Sequence, residues 1–435
     1  MTRWKMAVAV LVAIGAFFAG GWLLRKGMTS APPADSAAVP VPGGTRLFNA
    51  VLQTVRSYAV DSLDESSIYK LAASGVLAEL GDPYAALVSD RDTAVPPDQL
   101  GAKPVLGLYL DWSDGFVGVV SVVPGSPAAV AGARAGDVVL RVGATQISAQ
   151  RPDEVARLID EAKDSTVRVR LGRETMPAPL WVTISRGPTP EMPPPSVERP
   201  GTGPTIVRIH RIDSAAVRAL AGVLDSAAAR PRSSLILDLR GAVGGTLADA
   251  VAFADLLLAP GQTIVTARGR TGTASTPFLD QRPTPAPELP VVVLVDRGTA
   301  GAAEVVAGAL QDHDRAALVG ETTFGRGARL SFFPLGNGSS LRLTTEVWLT
   351  PSGRVIQRFI PPPVPEGSTD TLPDRPKFKT DGGRTVLGGG GVVPDREVPL
   401  DAEPSRASDP VLDAARQLLA RASDRKALLA AVSAN

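Results

Sequence analysis

The sequence predicts a mixed α/β fold, and three observations carry that reading. Val291–Val295 is an unbroken apolar, β-branched run, which suits a strand buried on both faces. Asp296–Gly298 interrupts it. Thr299 to Leu310 is then rich in Ala, Glu and Val without Pro, so a helix with an unusually small first turn follows. The same alternation fills residues 205–258, with strands at Thr205–Ile209 and Leu235–Leu239 and helices at Ser214–Ala229 and Leu247–Leu258.

Composition narrows the function classes. A chain of 435 residues allows two or three domains. Lys and Arg number 45 against 44 Asp and Glu, a net charge of +1, and no Lys/Arg run occurs, which argues against a nucleic-acid partner. With 0 Cys there is no disulfide, Cys-held metal or lipidated Cys. His210 and His313 are the 2 histidines, too few for a His-based metal site, so neither metal nor cofactor is expected.

In chain order, Met6–Leu24 comes first. It is apolar throughout, flanked by Arg3 and Lys5 and by Arg25 and Lys26. Its length approaches the ~20 residues that cross a bilayer as a helix, so residues 1–27 read as an uncleaved membrane anchor. A cleaved signal is the competing reading; against it, Arg25-Lys26 follows the apolar run directly and no good small-x-small site sits there. Residues 28–44 are a Pro/Ala/Ser linker. Residues 45–95 read as helical. Leu47, Phe48, Val51, Leu52, Val55 and Tyr58 keep a helical period, and a second helix covers about Glu65–Leu80. That stripe and Tyr84 are expected in the core. Residues 97–186 form a second unit, with strands at Phe116–Val123 and Thr166–Leu171 and a short helix at Pro152–Ile159. Residues 187–204 are too Pro-rich for a helix or central strand. The α/β core spans 187–400. In it, Asn337-Gly338 marks a hairpin turn and residues 361–384 a loop. Residues 401–435 read as a tail with one helix over Asp409–Val432.

Two sets of motifs resemble known families. Gly125-Ser126-Pro127-Ala128, with Ala131-Gly132 and Gly136-Asp137, is similar to a PDZ domain. That resemblance implies that backbone N–H groups around Gly107, Leu108, Tyr109 and Leu110 take a peptide's terminal carboxylate while the peptide adds as an edge strand. A PDZ fold kept as a structural cap is the plainer alternative. Asp238-Leu239-Arg240, Gly244-Gly245, Glu304, Gln311-Asp312-His313, Thr323-Phe324-Gly325 and Val392-Val393-Pro394-Asp395 resemble the carboxyl-terminal processing (tail-specific) serine proteases. This second resemblance implies an α/β protease-like core with the PDZ domain before it and polypeptide C-terminal tails as partners. It also implies an extracytoplasmic place, periplasmic or at the cell surface, and oxyanion-binding N–H groups at Gly244, Gly245 and Ala302.

The departures from the family pattern fall on the chemistry. The alignment puts Gly301 at the nucleophilic Ser, Arg326 at the base Lys and Leu330 at the Gln that orients the Lys, with the family's own spacing. A Ser/Lys dyad needs a hydroxyl and an amine that can be neutral. Gly has no attacking atom, Arg does not give up its proton, and Leu cannot hydrogen-bond a base.

Three readings follow. The first is a degenerate protease that binds polypeptide C-termini and does not cut them. The second is an active serine- or threonine-type endopeptidase with a displaced nucleophile, for which Thr299 is the candidate hydroxyl. The third is a structural partner of protease-like chains in a homo- or hetero-oligomer.

Overall fold

The computed structural model describes residues 43–60, 64–89, 104–113, 116–148, 151–200, 203–228, 233–270, 276–336, 338–358, 375–399 and 409–433. The expected anchor, Met6–Leu24, lies outside these. Among the described residues no helix is long and apolar enough to cross a membrane.

The chain divides into two units, residues 1–76 and 77–435. The first holds α1 (Gly43–Tyr58) and most of α2 (Glu65–Glu79). The stripe on α1 was expected to be core and is not: Leu47 is 68% exposed and Tyr58 82%. A helical period shows that one face is apolar, not that something covers it. In the second unit Tyr84 is buried, as expected.

The stretch read as helical through residue 95 ends differently. Residues 86–89 form β1 (Ala86–Ser89), which pairs antiparallel with a strand more than 250 residues later. The PDZ unit follows. It comprises β2 (Leu108–Ser113), β3 (Phe116–Val122), the short α3 (Pro127–Val130), β4 (Val138–Val142), β5 (Thr145–Gln146), α4 (Pro152–Glu161), β6 (Thr166–Gly172) and β7 (Leu180–Ser185). Its sheet runs β2-β3-β4-β6-β7, so β2 is an edge strand.

The core is a six-stranded, mostly parallel sheet. The Pro-rich crossing segment contributes β8 (Ser196–Glu198), confined to an edge where missing donors are tolerated. Next come β9 (Thr205–Arg208), α5 (Ser214–Ala228), β10 (Leu235–Asp238), α6 (Leu247–Ala254), β11 (Thr263–Gly269), β12 (Thr276–Leu279), β13 (Val291–Val295), α7 (Ala302–Asp312) and β14 (Ala317–Gly320). β13 is buried at all of its residues because both faces are covered. Val291, Val293 and Val295 pack with α5, α6 and α7. Val292 and Leu294 pack with the C-terminal helices.

A second sheet is built on the hairpin β15 (Ala328–Gly336) and β16 (Ser339–Leu349), which also binds β1 and β11. The small strands β17 (Lys377–Lys379), β18 (Thr385–Leu387) and β19 (Arg396–Glu397) close the core, so the span read as a loop to residue 384 contains β17. The tail is two helices rather than one, α8 (Pro410–Arg421) and α9 (Arg425–Ser433). Ala422 is extended and Asp424 accepts the Ala427 N–H at 2.8 Å, which breaks the run.

Candidate functional site

The site forms where β13 turns into α7. Asp296 accepts the N–H groups of Gly241 (2.8 Å) and Gly298 (2.9 Å) on one carboxylate oxygen. Burial pushes its carboxyl up, and these donors oppose that. Thr299 Oγ1 accepts the Asp296 N–H at 3.0 Å and donates to the Leu239 carbonyl at 2.9 Å. At 0% exposure, the candidate displaced nucleophile is held inside the turn.

Gly301 then caps α7 at φ 68 and ψ −120, a backbone state that strains any other residue. No heavy atom lies within 4 Å of where its Cβ would stand. The sharp strand-to-helix turn of a nucleophile is present without the nucleophile. The helix begins three residues later than the sequence suggested, because the small residues at 299–301 belong to this turn.

Glu304, in the first turn of α7, is fully buried and ties two loops together. Its carboxylate accepts the N–H groups of Gly301 (3.0 Å), Gly325 (2.6 Å) and Arg326 (2.7 Å), and the Thr323 hydroxyl (2.5 Å). The backbone at 301 and at 325–326 is therefore fixed independently of the side chains there.

The Arg326 side chain leaves this network for the PDZ domain. Its guanidinium forms an ion pair with Asp111 on β2 and stacks on the Tyr84 ring, 4.8 Å from the centroid. Burial pushes the guanidinium down and Tyr84 pulls it back up. A guanidinium held by a carboxylate keeps its proton and accepts none. Leu330 lines a cavity of about 50 Å³ beside Arg326 and Arg342, and the facing wall is Leu108, Leu110 and Trp112 of the PDZ domain. Arg342 donates to the Tyr84 carbonyl at 3.0 Å and reaches Asp153 of α4 at 3.8 Å. Both walls of the PDZ groove, β2 and α4, are thus pinned by an arginine of the core. Sequence reasoning missed Asp111, Asp153 and Arg342. They are far apart in the chain and carry no local signal.

The expected oxyanion residues converge. A Cβ on Gly245 would stand 2.1 Å from the Ile212 carbonyl oxygen and 3.2 Å from the Ala302 Cβ, so the glycine is required and abuts the start of α7. Gly244 lies beside Arg211. Val243, in place of the family's Pro, donates to the His210 carbonyl at 3.0 Å, a bond Pro cannot make.

The peptide loop is arranged less simply than expected. Gly107 has φ 96, and a Cβ there would collide with Ser126. The Leu108 N–H, one of the expected carboxylate donors, bonds the Val105 carbonyl at 2.9 Å. Leu108 is buried in the PDZ core, whereas Tyr109 packs with Val120, Val243, Ala300 and Phe324. Leu110 lines the groove cavity.

Residues 205–365 match peptidase family S41, and residues 118–173 match a PDZ domain. The α/β core of this chain is, by that match, an S41 peptidase domain. It is 29% identical over 331 residues to the carboxy-terminal-processing protease of Bartonella bacilliformis, covering 71% of this chain and 72% of that protein. It is 27% identical over 312 residues to the carboxy-terminal processing protease CtpA of Bacillus subtilis, covering 72% and 66%. Among solved structures, a photosystem II D1 C-terminal processing protease aligns with TM-score 0.62 at 24% identity, over 87% of this chain and 98% of that one, and shares the fold.

Other S41-like motifs act as scaffold. Gln311 donates to the Val393 carbonyl (2.9 Å) and to Asp395 (3.0 Å). Asp312 pairs with Arg354, and His313 bridges Asp381 and the Thr263 carbonyl, each at 2.7 Å.

Proposed function

We propose that this S41 chain binds the C-terminal ends of polypeptides and does not cut them. One observation carries the reading. Position 301 offers open space and no side chain, while the cation at 326 is committed to Asp111. Amide hydrolysis by this family's chemistry needs an attacking hydroxyl and an acceptor for its proton. As part of the same proposal, the apolar Met6–Leu24 segment supports a membrane anchor, and the resemblance to the tail-specific proteases supports an extracytoplasmic place for the rest. The test is mass spectrometry of an unstructured polypeptide incubated with the soluble part. No new termini are expected. Cleavage that disappears in Thr299→Ala would overturn the proposal.

A further inference from the structure

Among the described residues, the cleft beside Gly301 holds N–H donors without a protein acceptor. Among the described residues, neither the Gly244 N–H nor the Gly245 N–H donates to a protein acceptor. Gly245 is buried, and a buried N–H without a partner is rare enough to need an explanation. Beside them stands Arg211, which has no carboxylate or carbonyl partner among the described residues. Its Cζ lies 3.6 Å from where a Cβ of Gly244 would stand, so the guanidinium covers the first glycine of the pair.

Tyr109 of the PDZ edge strand packs against Val243, next to Gly244, and its phenol feels the Arg211 charge. Burial pushes its phenol up, so it keeps its proton and can donate. Ala302 closes the set. It opens α7, so its N–H has no acceptor within the helix. Each group named in this cluster is a donor or a cation. A planar guanidinium beside backbone N–H groups matches a carboxylate in shape and charge.

We propose that Arg211, with Tyr109 and the Gly244–Gly245 amides, is the receptor for the terminal carboxylate of a bound polypeptide. The inference rests on the tail-binding reading and deepens it. The PDZ edge strand guides the tail, and the carboxylate ends in the cleft where a scissile bond would otherwise lie. Arg211 binds and does no chemistry.

Fluorescence anisotropy on the full chain tests this with two labelled peptides of one apolar sequence, one ending in a free carboxylate and one amidated. The wild type is expected to favour the free acid by about tenfold to a hundredfold, the range of a charge-assisted bidentate contact. Arg211→Gln is expected to erase that preference while leaving the amidated peptide's affinity unchanged. Arg211→Lys should keep part of it. A preference that persists in Arg211→Gln overturns the assignment. If neither peptide binds the wild type, the tail reading fails, and a thermal-shift titration with inorganic phosphate decides the receptor. A stabilisation lost in Arg211→Gln keeps an oxyanion receptor; no stabilisation overturns it as well.

Discussion

Replacing Asp111 by alanine isolates the ion pair that holds the Arg326 side chain. The Arg326 side chain is 5% exposed and that of Asp111 4%, so neither charge meets water unless the PDZ strand moves. Removing one member of a buried pair costs about 3–5 kcal/mol, because the other charge is stranded. An exposed pair contributes only about 0–1 kcal/mol. Asp111→Ala should therefore destabilise the second unit by about 3–5 kcal/mol. The double change Asp111→Leu with Arg326→Met removes both charges at similar volume and should recover most of that loss. Urea titration followed by circular dichroism gives the free energies. Amide exchange on β2 and α4 separates loosening of the PDZ seam from global unfolding. A single variant within about 1 kcal/mol of wild type refutes the argument, because the pair would then behave as a solvated one. A double variant as damaged as the single would also refute it, since no stranded charge would explain the cost.

Three further outcomes are expected. Glu304→Gln should cost about 1–3 kcal/mol in thermal denaturation, since its amide NH₂ would face buried N–H donors. Asp280 is buried near Asp255, and burial first, then that charge, raises its pKa to about 6. The folded chain thus holds a proton that the unfolded chain releases near 3.8, so this group's contribution to stability is full below 3.8 and lost as pH rises through 6. Asp280→Asn should accordingly raise Tm at pH 8 and leave it nearly unchanged at pH 3.5. Finally, Gly301→Ser with Arg326→Lys and Leu330→Gln should give measurable hydrolysis of an unstructured peptide, whereas Gly301→Ser alone should give none; activity in the single variant would mean that some other group accepts the proton.

Much of the fold was legible because its signals are local. Val291–Val295 reads as buried on both faces from composition alone, and the parallel sheet around it confirms that. What failed was non-local or depended on dihedrals. β1 exists because Ala86 pairs with Arg342, which no window around residue 86 contains. The start of α7 was misplaced because Ala300 and Gly301 look like helix-compatible small residues, and only φ 68 at Gly301 shows that they are a turn. The site divides the same way. Gly301, Arg326 and Leu330 were visible as substitutions, since the absence of a hydroxyl or amine is a property of the residue. Their new partners were not: Asp111 lies 215 residues from Arg326, and its role is set by docking of the PDZ unit.

That division explains how the loops around 301 and 326 hold their shape without help from those side chains. Asp296 and Glu304 hold the two loops through backbone N–H groups, at Gly241 and Gly298 and at Gly301, Gly325 and Arg326. None of those bonds uses the side chain at 301, 326 or 330. Removing a serine hydroxyl from 301 therefore leaves the turn closed, and the residue at 326 is free to point elsewhere. A lysine there would present one compact charge, whereas arginine has the reach and planarity to pair with Asp111 and cover the Tyr84 ring together. Once that contact forms, hydrolysis by a Ser/Lys pair at 301 and 326 requires breaking an interdomain ion pair as well as supplying a nucleophile. For that reason the three-residue repair should regain hydrolysis more fully when Asp111→Ala is added, because Asp111 would otherwise hold the new lysine charged and turned away from position 301.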